Sequence, residues 1–132
     1  MAQQTNAKQH LEPYFSAQIG NQTSGARVFS GISNYGFTCP SPYNAITCTI
    51  PGQYRIMARQ LVQTNGNQIY WQILKNDSVV GYAYPPPNLQ QDVWTWTTTE
   101  LAAGDVITIN ATATITQSWT GGHSNLTIMK VA

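Results

Sequence analysis

The stretch that decides the fold runs from residue 105 to residue 116 and reads DVITINATATIT. Isoleucine or alanine occupies positions 107, 109, 111, 113 and 115, and the positions between them hold mainly Thr and Asn. Successive side chains of a β-strand point to opposite faces, so an alternation of period two indicates a strand with one buried face. We predict a strand over this stretch, with Ile107, Ile109 and Ala111 directed into the core.

Segments of the same character lie on either side of this strand, separated by turn residues. The main breaks are Pro51-Gly52, Asn65-Gly66, Asn76-Asp77, Ala103-Gly104 and Gly121-Gly122. Pro presets φ and Gly permits positive φ, which is why such pairs favour turns. The further predicted strands are residues 14–19, 27–32, 45–50, 54–62, 68–74, 78–84, 92–99 and 125–131. No window favours a helix of normal length, so an all-β sandwich or barrel is expected.

The chain divides into a short arm and one domain. Its 132 residues suit a single domain. Residues 1–13 are polar and without periodicity, and we predict an N-terminal arm there, followed by the folded domain over residues 14–132. The residues expected to dock the arm on a partner are Gln9, His10, Leu11 and Tyr14. The chain starts at Met1 without an apolar signal-type run, so a whole gene product made in a cytoplasm is expected.

The composition excludes several classes of partner. Only 8% of the residues are charged and the formal net charge is +1, against about 25% charged residues in an ordinary domain. A nucleic-acid surface needs a basic patch and a membrane surface needs a polybasic one, and neither is available. A neutral surface rich in Gln, Asn and Thr repels its neighbours weakly, which favours a protein that sits in a dense assembly.

The sequence contains no arrangement typical of catalysis. Its histidines are His10, in the arm, and His123, beside a glycine turn, where a solvated loop histidine is the simplest interpretation. Asp77 and Asp105 lie in predicted turns, where hydrogen bonds to the backbone explain them. No cluster of His, Cys or acidic residues has the spacing of a metal site. We expect no enzyme activity, no metal and no cofactor.

Cys39 and Cys48 are the two cysteines of the chain. Their short separation within one predicted sheet region permits a disulfide. Two reduced, packed thiols are also compatible with the sequence, because the redox compartment is unknown. The sequence leaves both alternatives open.

The aromatic residues are the main candidates for a binding surface. Trp94 and Trp96 are two positions apart and are expected on one face of a strand, whereas Trp71 shares its face with Ile73 and is predicted to be core. Tyr70 and Tyr82 are expected on the opposite sheet face, at a subunit contact. The candidates for a subunit interface are Tyr54, Tyr70, Trp94 and Trp96. A sugar-binding platform is the alternative use of exposed aromatic rings.

Four short motifs resemble the globular head of the complement q-subcomponent family. They are Phe15-Ser16-Ala17, Pro51-Gly52-Gln53-Tyr54, the strand that ends in Lys75-Asn76-Asp77, and Leu101-Ala102-Ala103-Gly104-Asp105. They follow the family's order over residues 14–131, and the second and fourth are about fifty residues apart. The resemblance implies a ten-strand jelly-roll sandwich of the tumour-necrosis-factor-like superfamily, whose members are generally compact homotrimers.

The sequence thus predicts a structural binding protein. We expect a homotrimeric decoration or cement protein of a bacteriophage virion, located on the capsid surface and made in the host cytoplasm. Its expected partners are copies of itself and the major capsid protein or another virion protein, because a threefold cap can match a threefold lattice site. The alternative is a receptor- or glycan-binding knob of a viral fibre, with a glycan as partner. A secreted signalling ligand would need an export route.

Overall fold

The computed structural model describes residues 12–20, 25–63, 70–84, 90–111, 117–118 and 124–132. These residues form twelve β-strands, and none of them is helical. The strands are β1 (Tyr14–Ile19), β2 (Gly25–Ala26), β3 (Phe29–Tyr35), β4 (Phe37–Thr38), β5 (Ile46–Cys48), β6 (Gly52–Gln63), β7 (Trp71–Lys75), β8 (Ser78–Ala83), β9 (Gln90–Leu101), β10 (Val106–Ala111), β11 (Gln117–Ser118) and β12 (Asn125–Lys130). The count exceeds the expected ten because β2, β4 and β11 are two-residue strands.

The strands form two antiparallel sheets. The first sheet has the order β9-β6-β12-β1-β3, with β11 beside the end of β6. Strand β6 is its longest member and pairs with β9 along its whole length, from Gly52 opposite Leu101 to Gln63 opposite Gln90. The second sheet has the order β4-β5-β10-β7-β8, with β2 beside the end of β10. The two sheets therefore give the molecule two outer faces.

The core lies between the sheets and follows the alternation of the sequence. On β10, Ile107, Ile109 and Ala111 are buried, which confirms the direction predicted for them. On β6, every second residue from Tyr54 to Val62 is buried. Among the described residues Trp71 is the largest fully buried side chain, so the prediction that it is core is confirmed. Aromatic rings pack edge to face across the core, with Phe37 and Tyr54 at a centroid distance of 5.2 Å.

Two neighbouring turns are joined by side-chain hydrogen bonds. Asn76 and Asp77, both at positive φ, connect β7 to β8, and Asp105 ends the turn between β9 and β10. The backbone N–H of Ala102 donates to Oδ2 of Asp105 at 2.8 Å. Nδ2 of Asn76 donates to Oδ1 of the same carboxylate at 2.9 Å, and the N–H of Val106 donates to Oδ1 of Asn76 at 2.9 Å. The backbone role predicted for Asp105 is confirmed.

Some sequence predictions fall outside the described residues. These are the Asn65-Gly66 and Gly121-Gly122 turns, His123, and the predicted strand residues 68–69 and 112–116. They stay predictions.

Candidate binding surfaces

The outer face of the first sheet carries a group of exposed apolar side chains. Trp94 and Trp96 on β9 are 55% and 65% exposed, as expected of residues that share the outward face of a strand. Met57 lies directly opposite Trp96 on β6, and Met129 lies opposite Arg55 in the ladder between β6 and β12. Both methionines are also exposed. We call this group, formed by Trp94, Trp96, Met57 and Met129, the tryptophan face.

Arg59 borders the tryptophan face and helps to hold one of its rings. Its guanidinium carbon lies 5.1 Å from the centroid of the Trp94 ring, which is a cation–π distance. Its Nη2 also lies 3.3 Å from Oδ2 of Asp92, the neighbouring outward residue of β9. Both partners of this ion pair are partly exposed, so the pair contributes at most about 1 kcal/mol. Its main consequence is to fix the guanidinium beside Trp94. An open depression of about 310 Å³ lies next to it, lined by Arg55, Met57 and Trp96.

The outer face of the second sheet carries a different aromatic group. Tyr70, Tyr82 and Tyr84 are 42%, 63% and 44% exposed. The Tyr70 ring meets Tyr82 at a centroid distance of 5.6 Å and Tyr84 at 4.9 Å, both edge to face. Gln72 lies directly opposite Tyr82 and Asn110 lies opposite Gln72, so two amides continue the row. We call these five residues the tyrosine platform.

Three of the four interface candidates are exposed in the structure and one is buried. Trp94, Trp96 and Tyr70 are exposed, Trp94 and Trp96 on the first sheet and Tyr70 just before β7 of the second. The prediction for Tyr54 is wrong, because this side chain is 0% exposed and faces the core. Its hydroxyl donates to the carbonyl oxygen of Ile50 at 2.6 Å, and burial is the main cause that raises its pKa to about 12. Tyr54 therefore has no surface to offer a second subunit.

Of the four docking-arm candidates, Tyr14 lies within the described residues. Gln9, His10 and Leu11 lie outside the described residues. Tyr14 is the first residue of β1, and its hydroxyl makes a 2.7 Å hydrogen bond with the hydroxyl of Ser33. The structure thus places Tyr14 in the sheet and not in an arm. The docking role of the other three residues stays a prediction.

Cys39 and Cys48 do not form a disulfide; both thiols are free. Cys48 pairs with Phe37 across the ladder between β4 and β5, so Cys39 follows two positions after the residue opposite Cys48. Diagonal neighbours of this kind have Cα atoms about 7–8 Å apart, beyond the range of about 4.4–6.8 Å for a disulfide. Burial raises the pKa of both thiols, which keeps them protonated near neutral pH. Of the two alternatives that the sequence left open, the structure shows the reduced one.

Two features were missed at the level of sequence. Met57 and Met129 belong to the tryptophan face, and the signal for Met57 was its position between the core residues Ile56 and Ala58. Arg27 is fully buried, and its guanidinium carbon lies 4.7 Å from the centroid of the Trp71 ring. Burial lowers the pKa of Arg27 to about 10. No signal in the sequence marks this residue, because arginine is mostly exposed unless it is paired.

The described part of the chain offers no group of three or more His, Cys, Asp or Glu side chains that could hold a metal ion. Within the same ranges, no helix has the length and apolar character needed to span a membrane.

Comparison with solved structures identifies the fold. Three crystal structures of murine APRIL, determined at pH 5.0, 8.5 and 8.0, match the chain with TM-scores of 0.70, 0.64 and 0.66. The matches cover 92%, 89% and 89% of this chain and 100%, 99% and 99% of the APRIL chains, at 11%, 10% and 9% sequence identity. APRIL is a jelly-roll protein of the tumour-necrosis-factor family.

This chain has the tumour-necrosis-factor-like jelly-roll fold. The fold implied by the four short motifs is thereby confirmed, although no protein-family model and no curated protein matches the sequence. In this jelly roll the tryptophan face and the tyrosine platform lie on different sheets, so the two surfaces are free to contact different partners.

Proposed function

We propose that the chain is a binding module that assembles into a homotrimer through the tryptophan face. The observation that carries this proposal is the 55% and 65% exposure of Trp94 and Trp96 beside Met57. Contiguous exposed apolar groups of this kind mark interaction surfaces. Tryptophan, methionine and arginine are also the residue types that are enriched at protein interfaces, and tryptophan supplies many of their strongest contacts.

The surroundings of the tryptophan face suit contact between copies of one chain. Arg55, Arg59 and Asp92 lie at its border and carry both signs of charge, so two copies meet without strong repulsion. With 8% charged residues in the whole chain, long-range repulsion between subunits is weak. Three copies are favoured over two because members of this superfamily generally form compact homotrimers. Copies whose tryptophan faces meet around one axis close into a ring when the rotation between neighbours is threefold.

Within this class we propose a decoration or cement protein of a bacteriophage virion, which docks on the capsid shell. The neutral surface, rich in Gln, Asn and Thr, suits a protein that is packed against many copies of itself and of a shell protein. A threefold cap matches a threefold lattice site, and the polar N-terminal segment would contact the shell. The alternative, a receptor- or glycan-binding knob of a fibre, uses the same trimer.

Substitutions on the tryptophan face test the homotrimer. We expect Trp96→Glu and Trp94→Glu to convert the trimer to a folded monomer, because each change removes a large apolar side chain and adds a carboxylate whose desolvation Arg55 or Arg59 offsets only in part. Analytical ultracentrifugation measures the mass, and circular dichroism checks the fold. Tyr82→Glu is the matched control, since Tyr82 is 63% exposed on the other sheet, and it should stay trimeric. A trimer that survives both tryptophan changes would contradict the proposed interface.

Gold labelling of native virions tests the virion role. We expect an antibody raised against the trimer to label particles over the whole shell, at many regularly spaced positions. Particles without label would contradict the decoration role. Label confined to the tip of a fibre would also contradict it, and would support the knob.

A further inference from the structure

The tyrosine platform on the second sheet has no part in the proposed trimer and has the composition of a ligand site. We propose that it binds an uncharged saccharide. This inference does not depend on the trimer, because the platform and the tryptophan face lie on different sheets.

The three tyrosine rings form an exposed group joined by ring contacts. Tyr82 lies on β8 and pairs directly with Gln72 of β7. Tyr70 and Tyr84 lie two positions from Gln72 and Tyr82 in the chain and are also exposed. Both ring contacts of Tyr70 are edge to face, with interplanar angles of 72° and 70°. Aromatic pairs prefer this geometry, and it turns the faces of the rings in different directions. A negative ring face attracts the weakly positive C–H groups that line one side of a pyranose ring.

Two amides lie beside the rings. Nδ2 of Asn110 lies 3.4 Å from Oε1 of Gln72, so one weak hydrogen bond orients both side chains in a row that leads away from Tyr82. The Nε2 group of Gln72 keeps two donors, and Oδ1 of Asn110 is an acceptor. Side-by-side donors and acceptors are what the vicinal hydroxyls of a sugar require. A purely apolar partner would leave the Nε2 group of Gln72 and Oδ1 of Asn110 without hydrogen bonds, at a cost in affinity.

The lack of charged side chains around the tyrosine platform favours a neutral ligand. Among the residues of β7, β8 and β10, all of which the structure describes, Lys75 is the only charged one. Its Nζ donates to the carbonyl oxygen of Glu100 at 2.7 Å and lies 3.8 Å from Oδ2 of Asp105, at the end of β7 far from Tyr70. On these strands a sialylated or sulfated glycan would find Lys75 alone, which lies away from the rings and is held by Glu100 and Asp105. The platform therefore favours uncharged sugars.

The size of the site matches a small saccharide unit. Tyr70, Gln72, Val79 and Tyr82 line an open depression of about 310 Å³. This volume is at the lower end of the range of about 300–1,000 Å³ for small-ligand sites. An open site of this size holds one or two sugar rings with low affinity. Three such sites on one trimer would raise the apparent affinity for a polymer through multivalency.

The test uses neutral oligomers of glucose, mannose and galactose, with sialylated and sulfated oligosaccharides as the charged comparison. Titrations followed by NMR measure the affinity of one site, so that avidity does not enter. We expect saturable binding of at least one neutral oligomer, which Tyr82→Ala and Gln72→Leu each weaken by about tenfold. Tyr82→Phe keeps the ring and should retain binding within about threefold.

Tyr35→Ala is the matched control, because Tyr35 is similarly exposed, at 44%, but lies on β3 of the first sheet. It should bind the sugar as the unchanged chain does. Absence of saturable binding, binding that Tyr82→Ala does not weaken, or a preference for charged glycans would each overturn the inference. Monomeric Trp96→Glu should also bind with unchanged affinity. If that variant binds but the unchanged chain is no trimer, the proposed function fails and the saccharide site stands.

Discussion

Tyr54 shows how one side chain joins the core to a turn. Its ring packs edge on against Phe37, and its hydroxyl donates to the carbonyl oxygen of Ile50, the residue before the Pro51-Gly52 turn. The same carbonyl accepts from Sγ of Cys48 at 3.2 Å. Tyr54 thus orders the chain where it enters β6.

Removal of the Tyr54 hydroxyl should lower the stability of the protein without changing its structure. We expect Tyr54→Phe to lower the free energy of unfolding by about 1 kcal/mol, because the carbonyl of Ile50 loses its strongest donor. Urea unfolding at one fixed protein concentration measures the change. The matched control is Tyr14→Phe, whose hydroxyl bonds to Ser33 in an exposed position and should matter little. An equal decrease in the free energy of unfolding in the two variants would contradict the structural role given to the Tyr54 hydroxyl.

The alternation of side chains along each strand was sufficient to predict whether some of these residues face the core or the solvent. Tyr54, Ile56 and Ala58 occupy alternate positions of β6, so their side chains point to the same face of the strand, which is the core. The sequence therefore indicated that Tyr54 is buried, and the interface prediction overlooked this. Trp94 and Trp96 were correctly placed together on one face. The sequence could not show which face of β9 is covered by the second sheet, because that depends on long-range packing.

At the scale of elements, Asp105 links two turns that are far apart in the sequence. It accepts hydrogen bonds from Asn76 in the turn between β7 and β8 and from Ala102 in the turn before β10. The hydrogen bond from Asn76, followed by that from Ala102, holds the pKa of this carboxyl below its usual value of 3.8. Stabilisation from this carboxylate is therefore fully present above pH 3.8 and is lost as the pH falls through the lower, folded-state pKa.

Loss of this carboxylate should destabilise the protein in a pH-dependent manner. We expect Asp105→Ala to lower the Tm by a few degrees near neutral pH, because two backbone turns lose their common acceptor. The difference from the unchanged chain should narrow as the pH is lowered below 3.8. Asp77→Asn is the control, because it removes the neighbouring carboxylate and keeps a residue type that tolerates the positive φ of this position, so it should leave the Tm unchanged. A difference in Tm that stays constant down to the acid transition would contradict the role given to the charge.

Long strands could be predicted from the sequence, whereas the shortest could not. The alternation of Ile107, Ile109 and Ala111 indicated β10 and its buried face. The Leu-x-x-Gly-Asp motif indicated the turn before it, and the structure supplies the physical reason in the bonds of Asp105. Strands β2, β4 and β11 have two residues each, and such strands form only because a partner strand lies beside them. A local pattern cannot reveal them.

At the scale of the whole molecule, the jelly roll presents two aromatic surfaces with different chemistry. The tryptophan face is apolar with charges at its border, which suits a protein contact. The tyrosine platform combines rings with amides and no nearby charge, which suits a neutral sugar. This division is possible because the two sheets turn their outer faces in opposite directions. One chain can therefore assemble through one sheet and bind through the other.

The measurement that tests the central claim most directly is the solution mass by light scattering. It should be made on the full chain and on a chain that starts after residue 12, at low and at high salt. We predict a trimer in all four cases, with a mass near three times 14.5 kDa for the full chain and a correspondingly lower mass for the shortened chain, because the proposed contact is apolar and does not involve residues 1–12. A mass near 14.5 kDa for the full chain would contradict the homotrimer and, with it, the threefold cap on a shell.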